Sequence, residues 1–265
     1  MQECPTFQGI WKAARESFAL FQLASRPDDL PDGFSDRQGG HFGFACRIGG
    51  IGILMPDPRS ERSRERVMGE AGWRDFGAAL EGMADCREVL LLSSMPLVTP
   101  RLGALERFFD LMPGHQTWQD DLVDQWPSNA HWKEWRRLLQ TLCRFSARTG
   151  ARITSLSGEI HLGALGLIQS GATRIFQLTS SGIAHPPPPA WVVRGLEWAS
   201  SRTLRPADEL SVEMLALPGL GRRFLRRRNW LELELPADGG PVATWHGEGG
   251  VTSRLELADS DALNR

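Results

Sequence analysis

The chain has 265 residues, enough for one large domain or two small ones. An apolar fraction of 41% beside 23% charged residues is that of a folded globular protein and excludes wholesale disorder. A net charge of −2 supplies no overall drive toward nucleic acid or a membrane surface, so neither is expected as a partner.

Positive charge is nearly all arginine, a residue suited to bidentate anion contacts; Lys12 and Lys133 are the only lysines. There is no tyrosine, so no phenolic ligand or acid is available from this chain. The four cysteines, Cys4, Cys46, Cys86 and Cys143, are scattered and form no C-x-x-C pair. A disulfide framework or a zinc knot is therefore not expected, and a reducing compartment is. The opening stretch has no signal pattern, and no run nears the eighteen or so apolar residues of a membrane helix, so a cytoplasmic location is expected.

In chain order, the spacing of Ile10, Ala13, Ala14, Phe18, Phe21 and Leu23 predicts a helix over Gln8 to Ala24 with an apolar face. A Pro-, Gly- and Asp-rich loop follows. Phe42, Phe44, Cys46 and Ile48 then alternate, Gly49-Gly50 turns, and Ile51 to Met55 return, which predicts a β-hairpin. It runs into the charged loop "PDPRSERSRER". "AGWRDFGAALEGM" reads as a helix, "REVLLLSSMPLV" as a buried strand and "LGALERFFDLM" as a short helix. After an acidic loop, Trp132, Trp135, Leu138, Leu139, Leu142 and Phe145 trace one face of a long helix that Gly150 ends. "ARITSLSGEIH" and "TRIFQLTSS" read as strands, and "HPPPPAWVVRGLEWAS" as a proline run feeding a helix. The tail alternates: "SVEMLAL" and "VTSRLELAD" flank a hairpin of Trp230 to Leu235 with Val242 to Trp245. Interleaved strands and helices with hairpins near both ends predict an α/β or mixed α+β layered fold. No repeat or linker is evident, so a single domain over 1–265 is expected, with the tail hairpins at about 208–258 packed on it.

Four polar loops could hold chemistry. In Asp57-Pro-Arg59-Ser-Glu61-Arg62, guanidinium forks beside a carboxylate could hold an anion, or the loop could be solvated and ion-paired. The clustered carboxylates Asp120, Asp121 and Asp124, in a segment that runs on to Trp126 and His131, could be metal ligands, although helix capping is the commoner cause of such clusters, and Ser128 is also a good cap. In Ser157-Gly158-Glu159-Ile160-His161, strand geometry would turn Glu159 and His161 to one side, toward a metal ion or into an edge ion pair. The hydroxyls of Thr179, Ser180 and Ser181, followed by His185, could donate to an anion or form an ordinary turn. "RRFLRRRNW" reads as a solvated basic face rather than a nucleic-acid patch. No Walker loop, G-x-S-x-G elbow or dinucleotide fingerprint precedes a helix.

The segments "ILMPDPRSERS", "DDLVDQWPSNAHWKEWRRLL", "ITSLSGEIHLGALGLI" and "IFQLTSSGIAHPPP", in this order, resemble the PhoD-like alkaline phosphatases of the metallophosphoesterase superfamily. "RRNWLELEL" and "ATWHGEGG" look similar to the tail that follows in such proteins. The resemblance implies an α/β/β/α sandwich that hydrolyses phosphate mono- or diesters with iron and calcium, or a similar metal pair. By position it implies Glu159 and His161 at the metal centre, where the family writes Gly-Asp-x-His. It further implies Asp57, Arg59 and His161 as catalytic residues, and Arg59, Arg62, Asp124 and Trp126 facing the phosphate-ester substrate. The family's earlier segments, of the types Gly-Asp-x-x-Tyr-x-Asp and Trp-Asp-Asp-His-Asp, do not occur here. An incomplete sandwich and a partial metal site are therefore expected, with exposed apolar surface covered by a homodimer or a missing N-terminal segment. The alternative is a non-catalytic binding or interaction module derived from such a phosphatase.

Overall fold

The structure, a computed structural model, describes residues 5–37, 40–100, 125–158, 161–184 and 186–257. It is a mixed α/β fold with four helices and twelve strands among the described residues. The chain divides into two compact units, Met1–Ser94 with Arg144–Arg152, and Met95–Cys143 with Ile153–Arg265.

In the first unit, α1 (Pro5–Gln22) precedes the antiparallel hairpin of β1 (Phe44–Ile48) and β2 (Ile51–Met55). The hairpin matches the alternation in the sequence, and the turn rests on Gly49 at a φ of 59°, a left-handed value that glycine adopts without steric cost. β2 pairs in parallel with β3 (Glu88–Leu92), Ile53 opposite Leu90. A parallel pair needs a crossover, and α2 (Glu70–Glu81) supplies it. Trp73, Phe76 and Leu80 of α2 are buried, with Leu54, Val89 and Leu91 of the strands. Sequence spacing locates α1 well. Only Ala19 is buried on this helix, and Phe7, Ile10, Leu20 and Phe21 are exposed.

In the second unit, β4 (Arg152–Ser157, its first residue belonging to the first unit), β5 (Gly163–Ser170), β6 (Thr173–Thr179), β7 (Leu204–Ala207) and β8 (Leu210–Leu215) lie in the order β4-β6-β5-β8-β7. The β4–β6 pair is parallel and β5 is antiparallel to both β6 and β8; β9 (Phe224–Leu225) pairs the start of β5. The run after His161 is the central strand β5 of this order. Its burial on both faces leaves no alternation to read. β10 (Asn229–Glu234), β11 (Val242–Gly247) and β12 (Gly250–Glu256) form a separate antiparallel sheet. Ala243, Trp245 and Leu255 of this sheet pack on Leu165, Leu167, Phe176 and Leu178 in one core. The buried Trp245 Nε1 donates to the Thr179 carbonyl at 3.0 Å, tying the small sheet to the end of β6.

The long helix α3 spans Trp132–Thr149, and Trp135, Leu138, Leu139, Leu142 and Phe145 are buried as their spacing predicts. Gly150 follows at a φ of 77°, the left-handed value that ends a helix. α4 (Ala190–Ala199) follows the proline run. The helix expected over Leu102 to Met112 lies outside the described residues. No described helix is long and apolar enough to cross a membrane. Cys46, Cys86 and Cys143 are free thiols.

Candidate functional site

Polar groups gather at strand ends in each unit. In the first, the loop after β2 leaves the carboxyl end of a parallel pair, where backbone diverges and open α/β sheets form their crevices. Asp57 shapes that loop. Its Oδ1 accepts from Arg59 N at 2.9 Å and Ser60 N at 3.1 Å; its Oδ2 accepts from Phe42 N at 2.7 Å and Ser60 Oγ at 2.5 Å. Both oxygens are therefore engaged by donors of the protein itself. Glu61 plays a matching part at the start of α2, where its Oε2 accepts from Gly69 N at 3.1 Å and Gly72 N at 2.8 Å. A carboxylate there satisfies unpaired amides and complements the helix dipole. The loop carboxylates thus bond backbone N–H groups, a division of labour that charge pattern does not reveal.

With its backbone fixed by Asp57, Arg59 is exposed at the mouth of a cleft of about 400 Å³. Arg59 Nε donates to Ser94 Oγ, on the loop after β3, at 3.3 Å. Trp11, Ala14, Arg15 and Phe18 of α1 line the cleft, together with Phe42, Met55 and Leu92. Arg15 was not singled out by any motif. It donates through NH2 to the Pro27 carbonyl at 2.7 Å, and its Nε–H is buried without a hydrogen-bond partner. Only the helical spacing of Trp11, Arg15 and Phe18 along one side of α1 hinted that it would share a surface with those aromatics. Arg62 is half-buried farther along the same loop.

In the second unit, β4 ends at Ser157, before Gly158. His161 is exposed in a turn with a φ of 55°. β4 thus stops short of Glu159, and His161 lies in a turn rather than in a strand. Glu159 itself lies outside the described residues, as do Asp120, Asp121, Asp124 and His185. Trp126 is fully buried, its Nε1 without a hydrogen-bond partner, so in this arrangement it sits in the core and offers no surface to a substrate. Ser128 Oγ lies 3.0 Å from Nδ1 of the buried His131.

The hydroxyl-rich end of β6 is held from beneath. Gln177, fully buried, accepts at Oε1 from Leu97 N at 3.0 Å and Ser155 Oγ at 2.9 Å, and donates from Nε2 to Ser157 Oγ at 2.9 Å. Asn229 accepts from Ser180 Oγ and Ser181 N, each at 3.1 Å, and donates to Ser181 Oγ at 2.9 Å. Ser180 and Ser181 are thereby committed to a clamped turn. The basic run beyond is likewise engaged locally: Arg223 bonds the Met214 carbonyl and pairs with Glu197, and Arg226 bonds the Pro188 carbonyl.

Among the described residues, no group of three or more His, Cys, Asp or Glu side chains stands together to hold a metal ion. Asp57 is occupied by four donors, and His161 lies exposed in a turn. The described donors do not fit the metal pair that the sequence resemblance implies.

No family model matches the chain. An uncharacterized protein of Saccharomyces cerevisiae, YGR266W, is 24% identical over a 246-residue alignment that takes in 69% of this chain and 34% of the yeast protein. A purple acid phosphatase, PPD1, isolated from yellow lupin (Lupinus luteus) seeds, aligns in structure with a TM-score of 0.45 and 7% identity, over 84% of this chain and 33% of its own. The chain spans about a third of the length of each.

Proposed function

We propose that this chain is a phosphoesterase domain of the PhoD-like kind, whose first unit binds the phosphate-ester substrate. The observation that supports it best is Arg59. A guanidinium is held by a hydroxyl at the mouth of a cleft, beyond the carboxyl ends of two parallel strands, on a loop fixed by Asp57. Such a fork matches phosphate oxygens and would offset charge as it develops on them. The ordered series of PhoD-like sequence segments supports hydrolysis of mono- or diesters by metal-activated water, with Glu159 and His161 as ligands and Arg62 and Asp124 as supporting groups. The described residues contribute substrate binding, and no step through a metal is derived from them. The same reading takes residues 1–265 as one metallophosphatase-like domain in the cytoplasm, its exposed apolar surface covered by a homodimer.

The test is turnover of p-nitrophenyl phosphate and bis(p-nitrophenyl) phosphate, with metal content measured on the same sample. Arg59→Ala should lower kcat/KM by about 100-fold, the usual cost of one oxyanion donor, with Arg59→Lys in between. Glu159→Ala should lose metal and turnover together. A well-folded protein without metal or turnover would overturn hydrolysis by this chain.

A second reading, a binding module derived from such a phosphatase, is favoured by the Asp57 carboxylate, whose two oxygens are taken up by four protein donors. It predicts phosphate affinity that depends on Arg59 without any turnover.

A further inference from the structure

The cleft of the first unit is charged at its mouth and apolar in its walls. Arg59 and Ser94 meet at one edge, 3.3 Å apart, while Phe18, Phe42 and Met55 present ring and thioether surface. The Phe18 and Phe42 rings meet at a 48° tilt with centroids 4.6 Å apart, giving the wall an aromatic face. Phe18 is 40% and Met55 39% exposed, so a good part of this apolar surface meets water. Arg15 adds a second guanidinium, with an Nε–H that finds no acceptor within the protein. Asp57 lines the cleft too, but four donors already draw on its two oxygens, which reduces its repulsion of an incoming anion.

We propose that this cleft selects phosphate esters whose alcohol half is apolar, an aryl or hydrocarbon group, with the phosphate at Arg59 and the organic half against Phe18, Phe42 and Met55. The inference rests on the phosphoester reading and specifies its substrate class. A small hydrophilic phosphate gains only the contacts at the mouth. An apolar ester also displaces water from the aromatic wall, and that gain grows with the area covered. A volume of about 400 Å³ falls within the range of small-molecule pockets and has room for a fused ring system beside the phosphate.

Calorimetric titration of the full chain with methyl, phenyl and 1-naphthyl phosphate, and with uncharged 1-naphthol, tests it. Naphthyl phosphate should bind about tenfold or more tighter than methyl phosphate, with phenyl phosphate between. Phe18→Ala and Met55→Ala, both at exposed positions, should shrink that ratio several-fold. Arg59→Ala should weaken all three phosphates alike and leave the ratio intact. Equal affinity for the three phosphates, each above naphthol, would overturn the apolar selection and leave the phosphoester reading standing. Phosphates that bind no better than naphthol, or no binding at all, would overturn both. A ratio untouched by Phe18→Ala and Met55→Ala would overturn the assigned wall.

Discussion

Replacing Asp57 separates a loop-shaping carboxylate from a catalytic one. Asp57→Ala strands four donors: the amides of Phe42, Arg59 and Ser60, and the Ser60 hydroxyl. Arg59 is exposed, so its amide regains water. Ser60 is only 6% exposed and Phe42 half-buried, so their groups lose partners with little compensation. At about 1–3 kcal/mol per buried unsatisfied group, the alanine variant should lose about 4 kcal/mol. Asp57→Asn is milder. Its oxygen can keep the Arg59 and Ser60 amides, and the Ser60 hydroxyl can turn to accept from the new NH2. The Phe42 amide then faces a donor, so about 2 kcal/mol is lost. Amide hydrogen exchange resolves this locally, because a chain of two units need not unfold in one step. Protection at Phe42 and Ser60 should fall in both variants, and further in the alanine one. Unchanged protection and stability within about 0.5 kcal/mol of the parent would refute the reasoning, and with lost turnover would mark Asp57 as catalytic instead.

Two further outcomes follow from buried groups. Burial pushes the Cys143 thiol up to about 11, whereas an unfolded thiol ionises near 8.5. The folded protein holds that proton while the unfolded chain loses it, so stability is full below about pH 8.5 and falls toward pH 11 by roughly 2–3 kcal/mol. Denaturant midpoints across that range should show the decline, and Cys143→Ala should flatten it; an equal slope in the variant would count against the assignment. Gln177→Leu leaves the Leu97 amide and the Ser155 hydroxyl without their acceptor, and should cost about 2–4 kcal/mol by thermal denaturation. A loss under about 0.5 kcal/mol would show that those groups find other partners.

Elements with strong periodicity were legible from the residues alone. The β1–β2 hairpin, α2, α3 and the β10–β11 hairpin all appear where alternation or helical spacing places them. The central strand β5 escaped because burial on both faces erases alternation. Short β7 was missed for want of length, and β9 lay hidden in an arginine-rich run whose Phe224 and Leu225 are in fact buried. The apolar stripe of α1 was legible as a helix but not as an exposed one, since periodicity reports which residues share a side and not what covers them. At the site, residue types announced the Asp57–Arg59 loop. That the carboxylate would turn inward to amides depended on the position of Phe42, fifteen residues earlier, which no local pattern encodes. The spacing of Glu159 and His161 puts them on one side only if the strand of "ARITSLSGEIH" continues through them, whereas His161 lies in a turn.

The buried amide of Gln177 also governs which alignment of strands can exist. β4, β5 and β6 are mostly buried, and sliding one by two residues would keep every side chain on its own face. Only the observed alignment, with Ser155 opposite Gln177, lets that amide reach Ser155, Ser157 and Leu97 together. A slipped sheet would bury the same hydrocarbon and strand the amide. In this sheet, then, one buried polar side chain helps to select among alignments that the alternation of faces alone leaves open.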